Sequence, residues 1–187
     1  LKNPIATTYI KDIKERHNNK NDDDLEKLIN IMASSIVGLT NPLKLQHTFK
    51  SVKNSNLSSE TIKNYLDFLQ DAFLLEKSIR YDIKGKRYID TPAKYYFEDL
   101  GLRNARLNFR QAEESHLMEN LIYNELRLRG LSVDVGQVVV HYKDEQGKSQ
   151  RSNLEVDFVC NRGFRRYYIQ SALDMPTKEK VNQEQKS

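Results

Sequence analysis

The spacing of apolar residues changes period along this chain, and that change limits the folds open to it. Between residues 25 and 69 the apolar positions recur at helical intervals: Leu25, Leu28, Ile29 and Met32, then Leu43, Leu45 and Phe49, then Ile62, Tyr65, Leu66 and Leu69. The last set falls at i, i+3, i+4 and i+7, one continuous helix face. Past Phe73-Leu74-Leu75 the period drops to two. Ser78 to Ile83 and Arg87 to Ile89 alternate like strands, and Lys84-Gly85-Lys86 supplies the turn between them. Punctuation agrees with the periods. Asp22 to Asp24, after a polar break from Asn18, suit the positive end of a helix. Asn41-Pro42 marks a turn, and Leu57-Ser58-Ser59 offers a serine N-cap to the third helix.

Three helices followed by a β-hairpin describe a winged helix, expected over residues 20–108, with residues 1–19 as a connector arriving from something upstream. Pro92 to Asn108 reads as a connector. A long helix is expected from Gln111 to Arg129, with Leu117, Met118, Leu121, Ile122 and Leu126 inward and Gly130 as its stop. Strands follow at Leu131 to Tyr142, Leu154 to Cys160 and Arg165 to Ala172, divided by a polar loop around Gly147 and a turn at Asn161-Arg162-Gly163. Pro176-Thr177 introduces a last helix. Residues 109–187 thus form a second unit, helix, three strands, helix. The expected class is α+β or α/β. The chain starts at Leu1 and stops within the charged stretch ending at Ser187, so we expect a C-terminal piece of a longer protein, cut at both ends.

Composition narrows the setting. The 187 residues are 38% apolar and 30% charged, enough for a core with a well-solvated surface. No apolar run reaches the roughly 18 residues of a membrane span, and the first residues show no signal-peptide pattern. Cys160, the one cysteine, excludes an internal disulfide, and a cytoplasmic location is expected. It alternates with Leu154, Val156 and Phe158 and reads as a core residue. The net charge of +4 admits nucleic acid as a partner without requiring it.

Some chemistry is missing. A phosphate-binding loop needs G-x-x-x-x-G-K-[ST], so that glycine amides can approach phosphates. The glycines at 38, 85, 101, 130, 136, 147 and 163 never take that spacing. His17, His47, His116 and His141 lack the spacing of zinc ligands.

Four segments carry a resemblance: Tyr95-Tyr96-Phe97-Glu98-Asp99-Leu100-Gly101-Leu102-Arg103-Asn104, Glu119 to Leu126, Leu154 to Val159, and Tyr167 to Ala172. Together they resemble the C-terminal region of bacterial and archaeal AAA-type ATPases, in which a P-loop domain precedes a winged helix and a C-terminal domain of unknown function. The resemblance implies an upstream ATPase domain that would hold ATP and Mg²⁺, and no cofactor in the residues seen here. The last domain in turn is similar to the PD-(D/E)XK restriction-endonuclease fold. Active members hold a divalent metal with a helical glutamate, a strand aspartate and a further carboxylate, and carry a lysine two residues beyond it. Hard carboxylate oxygens suit Mg²⁺, and the lysine steadies hydroxide or transition-state charge. Here Glu119 matches the helical glutamate and Asp157 the strand aspartate. Gln170 stands where the second carboxylate belongs, and Ala172 where the lysine belongs. A neutral amide is a poor Mg²⁺ ligand and a methyl group supplies no charge. Glu155 lies on the same strand face as Asp157 but brings no lysine. The expected site is vestigial, with no catalytic residue and no metal. The alternative is a metal-dependent nuclease whose missing groups come from elsewhere.

The winged helix raises the question of DNA. The third helix would present Ser59, Glu60, Lys63, Asn64, Asp67 and Asp71, three carboxylates against one lysine, a poor surface for phosphates. The hairpin sets Lys77, Arg80, Lys84, Lys86 and Arg87 against Asp82, with Tyr81 and Tyr88 interleaved, and is the candidate backbone contact. Arg103, Arg106 and Arg110 extend that basic character, as do Arg162, Arg165 and Arg166. The expectation is a non-catalytic accessory or recognition region. Its partners would be the upstream ATPase domain, another protein or a second copy, and DNA only weakly.

Overall fold

The computed structural model describes residues 22–52, 56–110, 113–144 and 146–173, together with Lys11. The connector expected over residues 1–19, Lys11 apart, and the helix expected from Pro176 lie outside the described residues. The described residues form a mixed α/β fold of five helices and a five-stranded sheet.

Three helices come first: α1 (Asp22–Ser34), α2 (Pro42–Val52) and α3 (Ser59–Asp71). Each follows its apolar stripe except at Leu43, which stands in the first turn of α2 and is 56% exposed. Leu25, Leu28, Ile29 and Met32 of α1, Leu45 and Phe49 of α2, and Ile62, Tyr65, Leu66 and Leu69 of α3 are all buried in one core. Ser58 is the N-cap of α3, its Oγ accepting from the Thr61 amide at 3.0 Å, which satisfies one of the donors a helix start leaves open. Asn41 does the same for α2, accepting from the Lys44 amide at 2.7 Å.

The strands β1 (Leu75–Asp82) and β2 (Arg87–Phe97) form the expected hairpin, but β2 runs eight residues past Ile89. Pro92 had marked the start of a connector. Instead, the register jumps from Ser78↔Lys94 to Arg80↔Ile89, so residues 90–93 bulge out opposite one residue of β1. Arg80 spans that bulge, with Nε donating to the Pro92 carbonyl at 2.9 Å and Nη2 to the Thr91 carbonyl at 3.1 Å. Ala93 exchanges backbone hydrogen bonds of 2.9 Å with Thr40. The bulge is thus satisfied from both sides, and the strand resumes. Asp99 then caps α4 (Leu100–Arg106), accepting from the Leu102 amide at 3.0 Å.

After α5 (Glu114–Leu128), strands β3 (Ser132–Lys143), β4 (Ser149–Arg162) and β5 (Arg165–Ile169) complete the sheet. The strand order is β2-β1-β3-β4-β5, with β1 and β3 parallel and every other pair antiparallel. The β1–β3 pairing joins hairpin and following strands into one sheet across residues 108 and 109. The core is likewise shared, running from Leu25 through Tyr96 and Tyr123 to Cys160.

The inward face of α5 is a correction. Leu121, expected inside, is 60% exposed, and Leu117, Met118, Ile122 and Leu126 are only partly buried. Glu119, Asn120 and Tyr123 go in instead. The cause is β2, an edge strand whose outer backbone groups need partners. Asn120 supplies them: Phe97 N–H donates to its Oδ1 at 2.8 Å, and its Nδ2 donates to the Phe97 carbonyl at 2.8 Å. Asn124 adds bonds to the carbonyls of Phe97 and Glu98 at 2.9 and 3.0 Å. Two amide side chains continue the ladder that the strand lacks.

Candidate functional site

Under α5, four charged side chains from three elements meet. Lys94 comes from β2, Glu119 from α5, and Glu155 and Asp157 from β4. The β3–β4 register positions the last two. From Asp134↔Val159 to Gly136↔Val156, β3 advances two residues while β4 advances three. That extra residue in β4 lets Val156 and Val159 both face Gly136, where a Cβ would lie 2.8 and 2.9 Å from them. Phe158 packs on the other side against Tyr96 and Tyr123, ring centroids 6.4 and 6.5 Å away. Tyr96 and Tyr123 themselves stack at 3.8 Å.

Lys94 is the centre of the cluster. Its Nζ lies 2.8 Å from Glu119 Oε1 and 2.6 Å from Glu155 Oε1, with only 5% of the side chain exposed. Tyr96 donates its hydroxyl to the same Glu119 oxygen at 3.0 Å. Burial alone would lower the Lys94 pKa, but Glu119 and Glu155 more than offset it, so the ammonium is held above its ordinary value. Burial raises Glu119. Lys94 opposes that rise and the nearby Asp157 charge adds to it. Asp157 is held separately, with Oδ2 accepting from the Ser171 amide at 2.8 Å and from Ser171 Oγ at 2.5 Å. The Asp157 amide donates to Gln170 Oε1 at 3.2 Å.

The structure therefore brings Glu119, Asp157 and Gln170 together, while Ala172 follows just beyond β5, half-buried. Sequence reasoning missed Lys94. Its signal was a lysine inside the otherwise apolar run Ala93 to Phe97, hidden because Pro92 argued against a strand. Mg²⁺ does not fit this donor set. An ammonium already bridges two of the carboxylates, and Gln170 offers a neutral amide whose oxygen is taken by the Asp157 backbone N–H. Among the described residues no three His, Cys, Asp or Glu side chains converge as metal ligands.

The hairpin residues are dispersed in role. Lys77 pairs with Asp90 at 2.6 Å, and Arg80 is committed to the bulge and to Gln137 Oε1 at 2.6 Å. Lys84, Lys86 and Arg87 are exposed at the turn, where Lys84 reaches the Val139 carbonyl at 3.4 Å and Arg87 reaches Asp82 at 3.4 Å. Arg103 and Arg106, expected to extend a basic surface, turn inward. Arg103 is buried and donates to the Ala33 carbonyl at 2.8 Å, and Arg106 donates to Asn30 at 3.0 Å, so both hold α1 in place. Cys160 is fully buried, and burial, aided by Asp134, pushes its thiol up to about 11. His47, His116 and His141 are exposed. No described helix is long and apolar enough to cross a membrane.

A mixed α/β fold with a buried lysine–carboxylate cluster between sheet and helix is the class this geometry defines. The chain belongs to the DUF8612 family, a domain of unknown function, whose family model matches residues 1–113. It is similar to an uncharacterized protein of Haemophilus influenzae, 34% identical over 167 residues, covering 89% of this chain and 38% of that protein. It is also similar to an uncharacterized protein of Methanocaldococcus jannaschii, 29% identical over 159 residues, covering 85% of this chain and 33% of that protein. The chain thus spans between a third and two-fifths of the length of these relatives. No solved structure matches it.

Proposed function

We propose that this chain is a non-catalytic accessory region of an AAA-type ATP-binding protein, working through contacts with the ATPase domain or with another protein. In this reading α1–α3 with β1 and β2 serve as a winged helix, and α5 with β3–β5 as a nuclease-like unit that has lost its chemistry. The order of elements, three helices and a hairpin before a helix and three strands, agrees with these assignments, while the sheet and the core run through both units. The observation that carries the proposal is Lys94. Its ammonium sits within 2.8 Å of both Glu119 and Glu155, so a protein cation already bridges two of the carboxylates that would otherwise attract a metal ion. An ion pair of this kind favours one arrangement of β2, α5 and β4.

The test is a cleavage assay on linear, supercoiled and single-stranded DNA with Mg²⁺ or Mn²⁺. The reading predicts no product above a chain carrying Asp157→Ala. Its partner side is tested by sedimentation of this chain mixed with a P-loop domain from the same polypeptide, where a complex is expected.

A second reading rests on the same lysine. Lys94 brings from β2 the amine that Ala172 lacks, as a nuclease with a relocated lysine would require. Metal-dependent cleavage abolished by Asp157→Ala would favour it.

A further inference from the structure

The β4–β5 hairpin gathers aromatic and guanidinium groups that neither the core nor the Lys94 cluster uses. Phe164, at the turn beside Gly163, is fully exposed, and Tyr167 is 43% exposed. Arg162 and Arg165 are exposed on the two strands that meet there. Among the described residues neither forms an ion pair. Arg162 and Tyr167 line a shallow depression of about 470 Å³ with Leu126, Arg129 and Leu131, where the end of α5 meets the hairpin. Arg129 is exposed there and pairs with Glu125 at 2.7 Å.

Guanidinium groups with open donors attract phosphates, and exposed rings offer faces on which bases stack. A duplex hides its base faces within its own stack, so rings like these suit unpaired bases. We propose that this end of the sheet binds single-stranded nucleic acid, with phosphates on Arg129, Arg162 and Arg165 and bases against Phe164 and Tyr167. The proposal is independent of the accessory reading, because it uses none of the residues around Lys94. It also moves the nucleic-acid contact away from the β1–β2 hairpin, where Arg80 and Lys77 already serve the sheet.

The test is fluorescence anisotropy of the full chain with labelled oligothymidine and with a labelled duplex, across a salt series. Single-strand binding should exceed duplex binding and weaken as salt rises. Arg162→Ala with Arg165→Ala should weaken it about tenfold and lower the salt slope by about 1.4, as expected for two lost phosphate contacts. Tyr167→Ala should weaken binding about fivefold or more with the salt slope unchanged, the mark of a stacking contact. Lys84→Ala with Lys86→Ala and Arg87→Ala should leave binding unchanged. All the substituted groups are exposed or partly exposed, so circular dichroism melts should show each variant folded. The proposal is overturned by no binding at low salt, by equal duplex affinity, or by Arg162→Ala/Arg165→Ala and Tyr167→Ala variants that bind as the parent does. Affinity for anionic phospholipid vesicles without affinity for the oligonucleotide overturns it too.

Discussion

Lys94 Nζ and Glu119 Oε1 lie 2.8 Å apart with 5% and 10% of their side chains exposed, a buried ion pair tying the edge strand β2 to α5. Removing one member of such a pair leaves the other charge without compensation. Lys94→Met should therefore destabilise the fold by about 3–5 kcal/mol. Adding Glu119→Gln should recover a large part of that loss. Denaturant melts of the two single variants and the double variant measure the coupling, and additive losses would show that the pair is not energetically linked.

Asn120 should be less replaceable than its polar character suggests. Its amide both accepts from and donates to the Phe97 backbone. Asn120→Leu strands the buried Phe97 N–H, at about 1–3 kcal/mol, while Asn124 still donates to the Phe97 carbonyl. Asn120→Asp keeps the acceptor but turns a buried carboxylate toward the Phe97 carbonyl, so at neutral pH it should cost at least as much as the leucine variant. Hydrogen exchange at the Phe97 amide should accelerate in Asn120→Leu.

Gly136 has no room for a side chain, with Val156 and Val159 less than 3 Å from where a Cβ would stand. Gly136→Ala should cost about 1–3 kcal/mol through overpacking. Val159→Ala in the same chain should relieve part of it, which thermal melts of the pair can resolve.

The chain should lose stability in alkali. Burial raises Cys160 from 9.0 to about 11 and Tyr95 from 10.0 to about 12, and also raises Tyr96. Lys94 is raised from 10.5 by its carboxylate partners against the opposing effect of burial. All four groups hold their protons more tightly when folded. Their contribution is therefore complete below the ordinary values and is lost as pH rises through the folded ones. The melting temperature should begin to fall near pH 9 and drop more steeply above pH 10. Tyr95→Phe should make the decline above pH 10 shallower, and an unchanged profile would contradict the assignment.

The local features of this fold were legible and the long-range ones were not. The apolar stripes of α1 and α3, the Ser58 cap and the burial of Cys160 follow from spacing and residue type alone. The continuation of β2 past Pro92 depends on Arg80, twelve residues before the carbonyl it holds. The inward face of α5 was misread because periodicity follows apolar residues, whereas this helix buries Asn120 to serve a strand edge. The parallel pairing of β1 with β3 joins segments more than fifty residues apart, and no local period records it. At the candidate site, Glu119, Asp157 and Gln170 were visible through the resemblance. Lys94 was not, because its role exists only once β2, α5 and β4 are together.

The central claim is that Lys94 occupies the place a cation would need. Isothermal titration of the chain with Mn²⁺ at neutral pH tests it most directly. The account predicts no saturable heat with the parent chain or with Asp157→Ala. Saturable binding by the parent, abolished in Asp157→Ala, would contradict it and return the cluster to metal chemistry.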